Sequence, residues 1–207
     1  MKTHAIRRVL THAAAFLFCV ATHAAVVTYP APSGEALSAD YQVLADGQKV
    51  DVYTARTLDP PFAGKQWDFG GPYSFANFDV AGRVEVQITS KRSLSNVVVR
   101  PAGDGMQTQL KDAHTLVLTL PGPRQLSIEP DGRRGPLLLF ANPMEAAPPK
   151  PDSPGVIHFG PGIHKPGRIV VTNGQTLYLA GGAVVKGGVL ALGENIRIAG
   201  RGILDGS

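Results

Sequence analysis

Cysteine is all but missing from this chain. Cys19 is the single one in 207 residues, and it lies inside an apolar run over residues 13–21. Once that run is set aside as a leader, no thiol remains, which excludes disulfides and thiolate chemistry and leaves core burial to hold the fold. Long hydrophobic runs are also lacking. The stretch at 13–21 is far shorter than the roughly 20 apolar residues a membrane-spanning helix needs, and no later stretch approaches that length. No segment after residue 24 carries a helical period of apolar residues. Excess charge is scarce too. The formal net charge is +4, and Lys2, Arg7 and Arg8 supply three of those charges before residue 25, leaving +1. The basic isoelectric point therefore comes largely from the head of the chain and is not a nucleic-acid footprint.

What the head does contain has the layout of a secretory signal. A basic start, a short apolar run and the small residues Thr22 and Ala24 predict cleavage after Ala24. No small residues precede Cys19 in the manner of a lipidated cysteine. The mature chain is thus expected in the periplasm or outside the cell.

From Asp40 onward the pattern is β. Tyr41 to Ala45 and Val50 to Ala55 flank the turn dipeptide Asp46-Gly47. Residues 73–80 and 84–89 alternate in character about Ala81-Gly82, placing Tyr73 and Phe75 on one face of their strand and Val84, Val86 and Ile88 on one face of theirs. That alternation predicts Tyr73 and Phe75 as core. Further short runs end at Phe140, separated by Gly103-Asp104-Gly105, Pro121-Gly122-Pro123 and Asp131-Gly132. Residues 26–38, rich in Pro, Ala and Ser, read as an irregular lead-in. Seven to nine short strands in about 100 residues predict an antiparallel β-sandwich.

Five prolines between Asn142 and Gly155 cannot donate ladder hydrogen bonds and favour extended backbone. This reads as a semi-rigid linker. After it the chain repeats. Thr176 to Gly187 aligns with Asn195 to Gly206 at a spacing of 19 residues, with Ala180/Ala199, Gly181/Gly200 and Gly187/Gly206 identical. Short apolar strands, fixed glycines and a short period signal a coiled β-solenoid. The predicted organisation is a signal peptide at 1–24, a β-sandwich at 25–141, a linker at 142–155 and the start of a parallel β-helix at 156–207. The β-helix is expected to be truncated.

The segments Val156-Ile-His-Phe-Gly-Pro-Gly162, Gln175-Thr-Leu-Tyr-Leu-Ala-Gly-Gly-Ala-Val-Val-Lys-Gly187 and Gly200-Arg-Gly-Ile-Leu-Asp-Gly206 resemble the opening coils of pectin-lyase-like right-handed parallel β-helix enzymes. The likeness is to bacterial glycoside hydrolases of the polygalacturonase (family 28) and dextranase (family 49) kind, the latter also carrying a sandwich before the helix. The resemblance implies an all-β fold and hydrolysis of glycosidic bonds in a polysaccharide. That chemistry needs one carboxylic acid and one carboxylate base, about 6.5–9.5 Å apart for inversion. In these families the acidic cluster lies on central coils, beyond the Gly-Arg-Gly-Ile-Leu-Asp-Gly marker. The family-28 motifs Asn-Thr-Asp, Asp-Asp, Gly-His-Gly and Arg-Ile-Lys do not occur in this sequence, so no catalytic residue is carried over. The competing readings are a non-catalytic carbohydrate-binding or adaptor module and a β-helix polysaccharide lyase. The hydrolase reading expects a polysaccharide met by a monomer, without cofactor, metal, nucleic acid or, after leader removal, membrane; an adaptor could instead pack on a partner, and a lyase usually needs Ca²⁺ held by carboxylates.

Among individual residues, Trp67 is the candidate sugar-stacking aromatic. Asp205, before Gly206, reads as a turn-capping carboxylate. His158 and His164 lack a third partner at metal-like spacing and read as strand and turn histidines. Lys91-Arg92 and Arg133-Arg134 read as solvated turn cations. Gly181-Gly182 is followed by neither Gly-Lys-Ser/Thr nor a helix, which excludes a phosphate loop.

Overall fold

The computed structural model describes residues 25–57, 71–103 and 105–206, and every regular element among them is a strand. In chain order these are β1 (Ala25–Thr28), β2 (Tyr41–Ala45), β3 (Gln48–Val50), β4 (Val52–Thr57), β5 (Gly71–Ala81), β6 (Val84–Ser90), β7 (Val98–Arg100), β8 (Gln107–Asp112) and β9 (Thr115–Leu120). They continue with β10 (Arg124–Arg133), β11 (Leu137–Pro143), β12 (Val156–Phe159), β13 (Gly162–Thr172), β14 (Thr176–Leu179), β15 (Ala183–Leu192), β16 (Arg197–Gly200) and β17 (Ile203–Asp205). No helix among the described residues is long and apolar enough to cross a membrane.

Four sheets result. One runs β3-β2-β6-β9-β8 and is antiparallel throughout. A second runs β1-β5-β11-β10-β7, with β4 also on β5; its β5–β11 pair is parallel and the rest antiparallel. These two sheets share one core, in which Val43, Val86, Ile88, Leu116 and Leu118 of the first meet Phe78, Val80, Ile128, Leu137 and Leu139 of the second. Each of these side chains is at most 1 % exposed, and full burial of such a residue stabilises by about 1.5–3 kcal/mol.

Two sequence expectations change here. The lead-in is not wholly irregular: Ala25–Thr28 forms β1, with Val26 opposite Val80 and Thr28 opposite Phe78. Nor are Tyr73 and Phe75 core. Ser74, Ala76, Phe78 and Val80 point into the shared core, while Tyr73, Phe75, Asn77 and Asp79 occupy the opposite face of β5. Alternation separates two faces but does not say which one is inside. Both faces of β5 are covered toward its C-terminal end, where Asp79 is only 1 % exposed.

Beyond Gly155 the strands pair only in parallel. The chain visits two three-stranded sheets in turn, β12-β14-β16 and β13-β15-β17. Ile157, Phe159, Ile169, Val171, Leu177, Leu179, Val185, Val189 and Ile196 pack between them. The spacing between paired residues is not uniform. It is 20 residues for Ile157 and Leu177, 21 for Leu177 and Ile198, and 19 for Val185 and Leu204. The 19-residue sequence alignment is therefore right for β15–β17 and two residues short for β14–β16. The turn between the sheets explains this. Four residues, Ala180 to Ala183, separate the paired Leu179 and Val184 in one round, but only two, Arg201 and Gly202, separate their partners Gly200 and Ile203 in the next. Gly200 makes the shorter turn possible, since its φ is +122° and a side chain there would collide with the Leu179 backbone.

Candidate functional site

The face of β5 that carries Tyr73, Phe75, Asn77 and Asp79 meets the parallel sheets, and there the buried Asp79 sits in a network of polar groups. β5 supplies Asp79, the end of β11 supplies Asn142 and Pro143, the following loop supplies Glu145, and the turn after β16 supplies Arg201. Arg201 Nε donates to Asp79 Oδ1, and its Nη2 donates to the Pro143 carbonyl at 2.7 Å. Asn77 Nδ2 donates to the Arg201 carbonyl at 2.8 Å. Asp79 Oδ2 accepts from the Glu145 amide at 3.3 Å, and Glu145 Oε2 accepts from the Tyr178 hydroxyl at 2.7 Å. The Tyr29 hydroxyl also bonds Asp79. The Tyr29 ring lies where a side chain on Gly181 would have to go, so the glycine permits the close approach.

Electrostatics follow from this geometry. Burial pushes the Tyr178 hydroxyl up to about 12, helped by its hydrogen bond to Glu145 and by that carboxylate's charge. Tyr29 is raised by burial first and then by Asp79. Burial alone would lower Arg201, but the hydrogen bond and charge of Asp79 outweigh it and hold the guanidinium above its ordinary value. Asp79 thus accepts through both carboxylate oxygens, and Glu145 accepts through Oε2. With Arg201 and Tyr178 they clamp the parallel sheets to the mixed sheet. A second tie lies nearby: Lys186 bridges Glu35, whose Oε2 is 3.1 Å away, and Asp205, whose Oδ2 is 3.8 Å away.

Beside the clamp opens a cleft of about 290 Å³, lined by Phe75, Asn77, Phe140, Asn142 and the turn from Gly200 to Ile203. Leu138 is opposite Phe75 and Phe140 is opposite Asn77, so the two phenylalanines sit diagonally on adjacent strands. Tyr53 stacks on Phe75 at 5.3 Å and 16°, and Tyr73 is tilted against Phe75 at 6.2 Å. Another cleft, of about 480 Å³, lies over β13 and β15 at Gly167, Arg168, Gly188, Val189 and Leu190.

The residues singled out from the sequence scatter. Trp67 lies outside the described residues. Asp205 does not sit in a tight bend. It ends β17, directly opposite Lys186. His158 is on β12 with its ring against Tyr178 at 5.2 Å. His164, on β13, meets the Gly160 carbonyl at 2.7 Å and the edge of Phe159. Among the described residues no three His, Cys, Asp or Glu side chains converge as a metal site would require. Arg92 is not simply solvated, since it reaches the Arg134 carbonyl at 2.7 Å and Asp131 at 3.1 Å, fastening two turns. The clamp itself escaped sequence reasoning. Asp79 and Arg201 stand 122 residues apart, and Arg201 lies inside a marker already explained by coil geometry.

Comparison with solved structures adds a likeness of fold. The chain superposes on Dex49A from Penicillium minioluteum with a TM-score of 0.53 at 18% identity, over 81% of this chain and 47% of that one. This chain therefore spans about half the length of that neighbour. No family model matches the sequence, and no curated protein does. The likeness is one of related all-β fold.

Proposed function

We propose that the chain is the amino-terminal part of an exported, polysaccharide-degrading glycoside hydrolase. The two sheets around the first core act as a β-sandwich, and β12 to β17 are the opening coils of a right-handed parallel β-helix. The observation that carries the reading is the alternation of the chain between two purely parallel sheets, after one antiparallel and one mixed sheet, in a layout like that of Dex49A. That name accords with the family-49 resemblance of the sequence.

In this reading the acid–base carboxylate pair stands on coils equivalent to the unmatched part of the neighbour. Ile198 and Leu204, which extend the apolar columns of Leu177 and Val185, are 52% and 42% exposed. They are suited to receive another coil. The described residues supply the base on which those coils stack and the clamp that fixes them to the sandwich.

The test is enzymatic. The product of the whole reading frame, incubated with dextran and with polygalacturonate, should release reducing ends from one of them. Proton NMR of the first-formed product should show the inverted anomer. A full-length product that cleaves neither polymer and releases no unsaturated sugar contradicts the enzyme reading. Release of unsaturated ends would instead point to a lyase on the same scaffold.

A further inference from the structure

We propose that the cleft beside the Asp79–Arg201 clamp is an accessory saccharide site that takes a neutral sugar unit in preference to a uronate. The ligand class rests on the polysaccharide reading above. The site itself rests on four features of the cleft.

The first is an aromatic shelf. Phe75 and Phe140 are only partly buried and border the cleft from adjacent strands. A pyranose ring has an apolar C–H face suited to such a surface, and a flat aromatic offers large contact area at little conformational cost. The second is rigidity. Phe75 is held by the Tyr53 stack, with Tyr53 itself 4 % exposed, so one wall of the shelf is formed before any ligand arrives. The third is hydrogen-bonding character. Asn77 donates its Nδ2 to Arg201 and Asn142 donates its Nδ2 to the Phe140 carbonyl. No described group donates to either amide Oδ1. Two amide oxygens beside an aromatic shelf suit the hydroxyl donors of a sugar.

The fourth feature sets the preference. Among the described residues Arg201 is the one charged residue lining the cleft, and its charge is already offset by Asp79, with Nε and Nη2 both engaged. A uronate carboxylate entering there would lose water without gaining an uncommitted counter-ion, which is costly. A neutral ring carries no such penalty. At about 290 Å³ the cleft is at the small end of ligand sites, which fits one sugar unit of a longer chain.

The experiment is ligand-observed saturation-transfer NMR on the chain, with isomaltotriose as the neutral probe and trigalacturonate as the charged one. Transfer to isomaltotriose is expected, with trigalacturonate bound at least about ten-fold more weakly. Asn142→Ala, a partly exposed position, should weaken isomaltotriose about five-fold, the equivalent of one hydrogen bond, with the melting temperature unchanged. Phe140→Ala should weaken it further. Absence of transfer to isomaltotriose, equal binding of the two probes, or undiminished binding in a folded Asn142→Ala protein would each overturn the proposal. Hydrolysis by the full-length gene product is an independent readout. Activity without cleft binding removes only the accessory site, and binding without activity removes only the enzyme reading.

Discussion

Replacing Arg201 with alanine should be among the most damaging changes in the molecule. Asp79 accepts from Arg201 Nε, the Glu145 amide and the Tyr29 hydroxyl, and its side chain is 2 % exposed against 17 % for Arg201. Removing the guanidinium leaves a buried carboxylate without its counter-charge, a change that costs about 3–5 kcal/mol in comparable buried pairs. The bond to the Pro143 carbonyl is lost as well. Urea unfolding followed by far-ultraviolet circular dichroism reads the loss directly, as a fall in midpoint at constant slope. Asp79→Asn in the Arg201→Ala background should restore part of it, because the stranded charge has gone. The two single changes should therefore be strongly non-additive, by more than about 1 kcal/mol. The junction should also loosen, so limited proteolysis should cut the Pro-rich stretch after Pro143 sooner in Arg201→Ala than in the parent. A loss below about 1 kcal/mol, or strict additivity of the two changes, would refute the claim that this pair clamps the two regions.

Other outcomes follow from the same structure. Gly200→Ala places a side chain at φ +122° against the Leu179 backbone and should destabilise by about 1–3 kcal/mol, measured by thermal melting; an unchanged melting temperature would contradict the close approach of Gly200 to Leu179. Phe78→Ala empties a fully buried site in the shared core and should cost about 3–5 kcal/mol in the same assay. Tyr41, Tyr53 and Tyr178 are each raised to about 12, chiefly by burial. Their neutral forms favour the folded state, so their contribution is complete below the unfolded value of about 10 and fades as pH climbs through about 12. Tyrosinate absorbance should appear later in the folded protein than in urea, and coincident titrations would contradict the burial of these rings. Asp51 is lowered because its bonds to Lys49 and the Ala31 amide outweigh burial, the largest single influence, which raises it. Its contribution is present above the unfolded value of about 3.9 and is lost as pH falls through the lower folded value. Asp51→Asn should therefore flatten the acid limb of the stability curve.

Several features of the fold were legible in the sequence because they are written locally. Alternation marks the strands of residues 73–89, and Asp46-Gly47 marks the β2–β3 hairpin turn, with φ of +43° at Asp46, while Ala81-Gly82 marks the crossing from β5 in one sheet to β6 in the other. Dense glycine after the prolines marks the parallel rounds. What was not legible depends on contacts far along the chain. Tyr73 and Phe75 alternate like core residues, and only the packing of the parallel sheets on the other side of β5 decides which face is inside. The repeat spacing was two residues short at β14–β16 because aligning the glycines by type matched Gly181 to Gly200, whereas pairing sets Leu179 opposite Gly200. Phe75, Phe140, Asn77 and Asn142 come from strands that neighbour each other only after β11 has returned in parallel beside β5. No local pattern announces their meeting.

The parallel stacking of rounds can be tested with two cysteine pairs in a protein that begins at Ala25, a stretch without any native thiol. Val170 and Leu190 are opposite each other on β13 and β15 and are 44% and 40% exposed, and neighbouring strands lie within the Cα separation a disulfide needs. Val170→Cys with Leu190→Cys should oxidise readily to an intramolecular crosslink, while Val170→Cys with Val189→Cys, on the opposite face, should not. Crosslinking of the second pair in preference to the first, or of neither, would contradict the parallel winding.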